Sequence, residues 1–273
     1  ERFDAVLSTL PIPGASVYQP RGGTIPAQAA ASQRRRGRVL GRLSRWTESF
    51  NSMRRFMGHM EREVMADPDC RLLAVSEMVR QEFVTHYDRR DGQVVFNAVT
   101  PPTLDAETRQ HERQRMRYML GLGPNDPMFV CIAKNFLLKG VLELMSAYAD
   151  WVHASPEAAR SRLVIIGRDE FEGYSRIAGL RHVGKQVVFV PPTDEVERFY
   201  AAADACVLLS WYDPCSRVVL EATSWGLPSI TTRYNGASEV LERGAGIVVE
   251  SPKARRAVRE VGKAMGLSED TVA

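Results

Sequence analysis

The sequence predicts an α/β protein whose second half is a doubly wound parallel sheet, and three observations carry that expectation. From Met128 onward, short apolar runs alternate with amphipathic stretches, the pattern of strands buried on both faces by crossover helices. The runs are about 129–133, 163–166, 187–190, 205–209, 229–232 and 246–249, with helical stretches near 141–153, 194–202, 217–225 and 237–243 between them. A chain of 273 residues with 44% hydrophobic and 25% charged residues has room for two domains of ordinary globular composition.

The first half reads less regularly. Residues 3–9 suit a strand, followed by a Pro- and Gly-rich loop through Thr24. Over 33–57, Val39, Leu43, Trp46, Phe50, Met53 and Met57 recur at helical spacing, and Arg38, Arg42, Arg45, Arg54 and Arg55 occupy the other faces. Residues 1–65 hold eleven Arg, no Lys and five acids, a surplus of six, against +3 for the whole chain. A basic amphipathic helix near 38–57 suits either an anionic membrane surface or a solvated back on a packed helix. No aromatic platform accompanies the arginines, so nucleic acid is not an expected partner. A strand over 72–75, Ser76 as N-cap, a helix over 77–86 and a strand over 93–96 follow. Residues 1–98 then make a partial N-terminal, acceptor-side domain, 99–127 a linker with a charged helix, and 128–264 the second domain. A last helix is expected over 257–265.

Cys70, Cys131, Cys206 and Cys215 are far apart, which argues for reduced thiols rather than a zinc site or a disulfide framework. The five His show no ligand spacing, and Asp67-Pro-Asp69 reads as a turn. No cofactor and no metal are expected. Neither a membrane-spanning run nor an apolar leader is present, and a cytoplasmic protein, peripheral at the inner membrane face, is the expectation.

The richest stretch runs from Tyr212 to Pro228. A buried strand ends, Pro214 and Ser216 break it, and a helix opens near Arg217. Such a turn leaves the backbone N–H groups of Cys215, Ser216, Arg217 and Val218 aimed out of the sheet toward a phosphate or sugar oxygen. Asp213 and Glu221 stand on either side, acceptors suited to a ligand with hydroxyls at both ends and negative charge in the middle. After the first strand, Lys134 and Lys139 lie in a loop feeding a helix, where two cations can meet one diphosphate.

Asp213-x7-Glu221 followed by Ala222, Gly226 and Pro228 resembles the signature E-x7-E, A-x-x-x-G-x-P of the retaining glycosyltransferases of family 4, which have the two-domain GT-B architecture. The resemblance implies that Glu221 holds the donor ribose and Asp213 the donor sugar, with Asp in place of the usual Glu. Arg217, at a position usually apolar in the family, would either add a phosphate contact or only cover the helix surface. Lys134 and Lys139-Gly140 match the family's basic residue followed by K-G, Gly167 matches its I-x-G, and the loop from Phe189 through Val190 to Glu195 resembles the one over which the nucleotide base lies. Ile12-Pro-Gly-Ala-Ser-Val-Tyr18 is similar to a segment of the lipopolysaccharide core glucosyltransferases that act on heptose, and Asn97-Ala-Val-Thr100 resembles the segment closing the family's first domain.

The implied fold is GT-B: one complete doubly wound domain plus the latter part of a second, Rossmann-like domain, in a chain shortened at its N-terminus. The implied reaction moves a hexose from a nucleotide diphosphate sugar, UDP-glucose favoured, to a glycan or glycolipid hydroxyl with retention and without a metal. A nucleotide-sugar binding module lacking transfer activity is the alternative, ahead of a UDP-sugar epimerase or a membrane-surface adaptor.

Overall fold

The computed structural model describes residues 3–35, 52–241 and 245–252. Most of the expected basic helix near 38–57 and all of the expected helix over 257–265 lie outside the described residues. The chain divides into two units, one made of residues 1–98, 211–216 and 234–239, the other of 99–210, 217–233 and 240–273. Trp211–Ser216 and Tyr234–Glu239 therefore group with the first unit, whereas the sequence places them in the second domain.

In the first unit β1 (Leu7–Ser8), β2 (Val17–Tyr18), β3 (Arg71–Ala74) and β4 (Gln93–Val94) form a parallel sheet in sequence order. Residues 25–35 form α1, and α2 (Ser52–Ala66) and α3 (Glu77–Tyr87) complete the unit. The strand expected over 3–9 contracts to two residues because only Leu7 and Ser8 find ladder partners, at Val17 and Tyr18. Phe3 is left exposed. Ser76 caps α3 as its sequence position predicts, its hydroxyl accepting from Val79 N–H at 3.2 Å, a contribution of about 1 kcal/mol. Asp67 accepts from the N–H of Asp69 at 2.9 Å, so that acid closes a local turn.

The second unit begins with α4 (Ala106–Met119), capped by Asp105, whose carboxylate accepts from Thr108 N–H at 2.7 Å. Then come β5 (Met128–Lys134), α5 (Val141–Ala154), β6 (Arg162–Arg168), α6 (Phe171–Leu180), β7 (Val187–Val190), α7 (Val196–Ala202), β8 (Ala205–Leu208), α8 (Arg217–Ser224), β9 (Ser229–Thr232), α9 (Ser238–Leu241, its first two residues grouped with the first unit and its last two with the second) and β10 (Gly246–Val249). The sheet is parallel in the order β10-β9-β8-β5-β6-β7. Leu163, Val164 and Ile165 of β6 are fully buried, worth about 1.5–3 kcal/mol each relative to exposure. The strands lie where the apolar runs put them. Helix α6 escapes that reading, because Gly173 and Gly179 interrupt its pattern.

At α4, Arg117 is buried and paired with Asp204 at 3.1 Å, and Asp204 also accepts from Met128 N–H at 2.8 Å. This clamp fixes α4 to the start of β5. Chain order along the sheet reverses between β5 and β8, since β6 and β7 lie on one side of β5 and β8 to β10 on the other. The carboxyl ends of β5 and β8 flank that switch point, where open α/β sheets bind ligands.

Candidate functional site

At the carboxyl edge of the second unit's sheet, Lys134 is the last residue of β5 and is exposed. Its register partner across the parallel ladder is Arg168, also exposed, so two cations leave the same face side by side. Arg168 escapes the sequence reading because nothing in the local pattern marks it; only the pairing of β5 with β6 brings it to Lys134. The turn after β5 is held firmly. Asp169 accepts from Phe136 N–H at 2.8 Å, and Gly140, at φ 69°, lies so close to β8 that a Cβ would sit 1.9 Å from Leu209 O. Glycine is required there both by conformation and by space. Gly167 is constrained from the other side, since a Cβ on it would meet Ala133 O at 1.8 Å. Lys139, half-buried, precedes Gly140 and the first turn of α5. Its ammonium lies close enough to Cys131 to oppose the rise that burial imposes on that thiol.

Val190 ends β7 and packs, half-buried, against the unit's core, as does Val218 on α8. Beside Val190, Phe189 stacks on Phe171 with ring centroids 5.5 Å apart, and Phe171 on Phe136 at 5.9 Å. This row, with Phe171 and Phe189 partly open and Phe136 buried beneath, follows from α6 and was not legible in sequence. Glu221, one turn into α8, has both carboxylate oxygens engaged: Tyr200 OH donates to one at 3.2 Å, and the exposed Arg217 lies 3.3 Å from the other. Tyr200 is buried, and burial drives its hydroxyl pKa far up, so it remains a donor to Glu221.

Asp213, Cys215 and Ser216 belong to the first unit. There Asp213 bridges to Asn235, its N–H donating to Tyr234 O and its carbonyl accepting from Gly236 N–H, both at 2.8 Å. Asn235 Oδ1 accepts from Ser216 N–H at 3.2 Å and Ala237 N–H at 3.1 Å. This corrects the expectation of four outward amides: Ser216 N–H is spent inside the fold, because the fully buried Asn235 needs its acceptor satisfied. Pro214 O accepts from Ser76 Oγ at 2.6 Å, and Cys215 O from Asn97 Nδ2 at 2.8 Å. Burial pushes the Cys215 thiol up to about 11, so it is no thiolate nucleophile near neutral pH.

Tyr212, just before Asp213, donates to Glu82 at 2.8 Å, and Glu82 also accepts from the N–H and hydroxyl of Thr24 at 3.0 and 2.9 Å. The Tyr212 hydroxyl occupies the place of a Cβ on Gly23, 1.7 Å from that position. Glu239 accepts from the N–H groups of Glu77 and Met78, both at 2.8 Å, closing the start of α3. Glu82, Asn235 and Glu239 thus hold the Asp213 turn within its unit. Their separation along the chain hides them from sequence reasoning.

Three comparisons bear on this arrangement. The family model of group 1 glycosyl transferases matches residues 112–271, more than half of the chain. Among curated proteins, the lipopolysaccharide glucosyltransferase WaaG of Escherichia coli is 24% identical over 196 residues, covering 70% of this chain and 51% of the relative. The spore coat protein SA of Bacillus subtilis is 29% identical over 214 residues, covering 71% and 55%. The chain spans about half the length of the curated relatives it matches. The crystal structure of WaaG superposes with a TM-score of 0.75 at 22% identity, covering 99% of this chain and 72% of that one. Anabaena HepE in complex with UDP-glucose gives 0.66 at 18% identity, covering 93% and 63%. At these identities the structural likeness speaks for the fold, which is the α/β, parallel-sheet fold of GT-B structures such as WaaG. By the match over its second half, the chain belongs to the group 1 glycosyl transferase family.

Proposed function

We propose that the protein acts in transfer of a hexosyl group from a nucleotide diphosphate sugar, UDP-glucose favoured, to a hydroxyl of a glycan or glycolipid with retention at the anomeric carbon. The observation that carries this reading is the cationic carboxyl edge at the switch point of a sheet in a family of glycosyl transferases. HepE, a structural neighbour, is described with UDP-glucose bound, which supports a nucleotide-sugar donor.

The chemical demand is charge. As the glycosidic bond to the diphosphate breaks, the sugar becomes cationic and the leaving group gains negative charge. Lys134 and Lys139, with the backbone N–H groups of Arg217 and Val218, would hold that diphosphate, and Arg168 would add to its field. Glu221 would take the ribose hydroxyls by exchanging its surface partner Arg217 for them, with Tyr200 keeping the carboxylate oriented. Gly167 and Val190, by family resemblance, would lie beside the nucleoside, and the Phe171 and Phe189 rings offer a face to the base. Asp213, by family resemblance, would orient the donor sugar. Two lysines and backbone dipoles can stabilise the leaving diphosphate without a divalent metal. A place at the inner face of the cytoplasmic membrane belongs to the same proposal. No helix among the described residues is long and apolar enough to cross a membrane.

The test is UDP-glucose binding by calorimetry beside a transfer assay with radiolabelled donor. Lys139→Ala lowers turnover by about 10²–10³ if its charge acts chiefly in the transition state. Unchanged turnover removes Lys139 from the mechanism, and binding without product points instead to a nucleotide-sugar binding module.

A further inference from the structure

The first unit contains a cavity of about 780 Å³ between α1, α2 and α3, and among the described residues none that lines it is acidic. Its polar wall is Arg54, Arg55, His59, Arg62, His86 and the hydroxyl-bearing ring of Tyr87. Arg55, His59 and Arg62 recur at intervals of four and three residues, which puts them on one face of α2. Of the acids on that helix, Glu61 is not among the lining residues, although two of its donors, Ile25 and Tyr87, are. It is fully buried and accepts from Tyr18 OH at 2.8 Å, Ile25 N–H at 2.8 Å and Tyr87 OH at 2.5 Å. Glu63 lies 3.1 Å from His59. Among the described residues no ion pair engages Arg55 or Arg62. Two exposed guanidinium groups thus face a concavity whose neighbouring carboxylates already have partners, Glu61 its three donors and Glu63 the wall's own His59, the arrangement suited to a multiply charged anion.

A second cavity of about 330 Å³ shares Ile25 and Arg54 with the first. Its lining includes Thr9, Gln28 and the backbone of Gly22 and Gly23, hydrogen-bonding groups without a net charge of their own. Side by side, the two spaces fit a hydroxylated ring carrying an anionic substituent. We propose that the first unit binds a phosphomonoester-bearing sugar, the ring in the smaller cavity and the phosphate against Arg55 and Arg62, and that this is the chemical class of the acceptor. The assignment of that ligand as acceptor rests on the transferase reading above; the phosphate site itself does not.

The whole chain is titrated by calorimetry with glucose 6-phosphate, glucose and inorganic phosphate, each in the presence of saturating UDP so that the second unit's cationic edge is occupied. Glucose 6-phosphate binds at least about tenfold more tightly than glucose, because charge-assisted hydrogen bonds to two guanidinium groups are lost without the phosphate. The Arg55→Gln, Arg62→Gln double variant removes that difference while UDP affinity and the thermal midpoint stay unchanged, and Arg55→Lys retains part of it. Equal binding of glucose and glucose 6-phosphate overturns the proposal, as does a preference that the double variant keeps. Should the double variant lose its midpoint, the single variant Arg62→Gln is read in its place by the same criterion. Binding only to vesicles containing anionic phospholipid, with none to the sugar phosphate, also overturns it and assigns the arginines to a lipid surface. Loss of UDP binding counts against the transferase reading alone; the same titrations run without UDP still decide the phosphate site.

Discussion

The two units solve the same problem, closing a parallel sheet, with different materials. In the second unit β5 and β6 pair over seven residues each, and their side chains from Met128 to Cys131 and from Leu163 to Ile166 are buried hydrocarbon with two thiol and thioether exceptions. In the first unit β1, β2 and β4 are two residues long, and beside a small apolar core that includes Val64, Leu72, Val79 and Phe83, a pair of inward carboxylates ties the elements together. Glu61 ties α2 to β2, α1 and α3, and Glu82 ties α3 to Thr24 and Tyr212. The contrast teaches that a short-stranded sheet can be ordered by a few fully used acceptors, at the cost of depending on each of them.

The largest break in that comparison is Glu61→Ala. It strands three donors, Tyr18 OH, Tyr87 OH and the Ile25 N–H, at about 1–3 kcal/mol each. Hydrogen exchange followed by mass spectrometry is expected to show protection lost through β2, α2 and α3 while β5 and β6 keep theirs. Uniform loss across the chain would mean that the two units do not unfold separately.

Ile165→Ala reverses the target. The fully buried side chain leaves a cavity in β6, costing about 2–5 kcal/mol, and deprotection should centre on β5 to β7. The same exchange measurement reads it, and protection lost first in α2 and α3 would contradict the division.

Glu82→Gln gives the smallest effect and sharpens the contrast through pH. Burial raises the Glu82 carboxyl above its ordinary value, with the Thr24 and Tyr212 donors only partly opposing it. The folded first unit therefore holds this proton more tightly than the unfolded chain. That stabilisation is full below the ordinary carboxylate pKa of about 4.3 and is lost as pH rises through the raised one. Exchange protection of α3 should fall with pH across that window in the wild type and fall less in Glu82→Gln, whose amide keeps an acceptor for Thr24. An identical pH slope in both would take Glu82 out of the account.

What the sequence discloses follows the same division. The apolar runs at Val187–Val190, Ser229–Thr232 and Gly246–Val249 became strands with those bounds, because a strand buried on both faces advertises itself in composition. Ser76 was a readable cap for a similar reason: its partner lies three residues away. Asn235, Glu82 and Glu239 were not readable, since each acts on backbone or hydroxyl groups distant in sequence, and a local pattern carries no trace of such a partner. Ser216 N–H fell to Asn235 on that account. Arg168 became visible only through ladder register. The likeness to family motifs marked Lys134, Lys139 and Glu221, yet it left unstated that Glu221 is shared between Tyr200 and Arg217.

The absent side chain of Gly23 has a practical corollary. Since the Tyr212 phenol fills that vacancy, grafting another family member's second half onto this first half would succeed only where the incoming segment brings a ring of matching reach. A smaller residue at 212 would open a hole beside Glu82, and alanine at 23 would evict the ring. The two positions behave as a compatibility lock, to be exchanged together in any chimera.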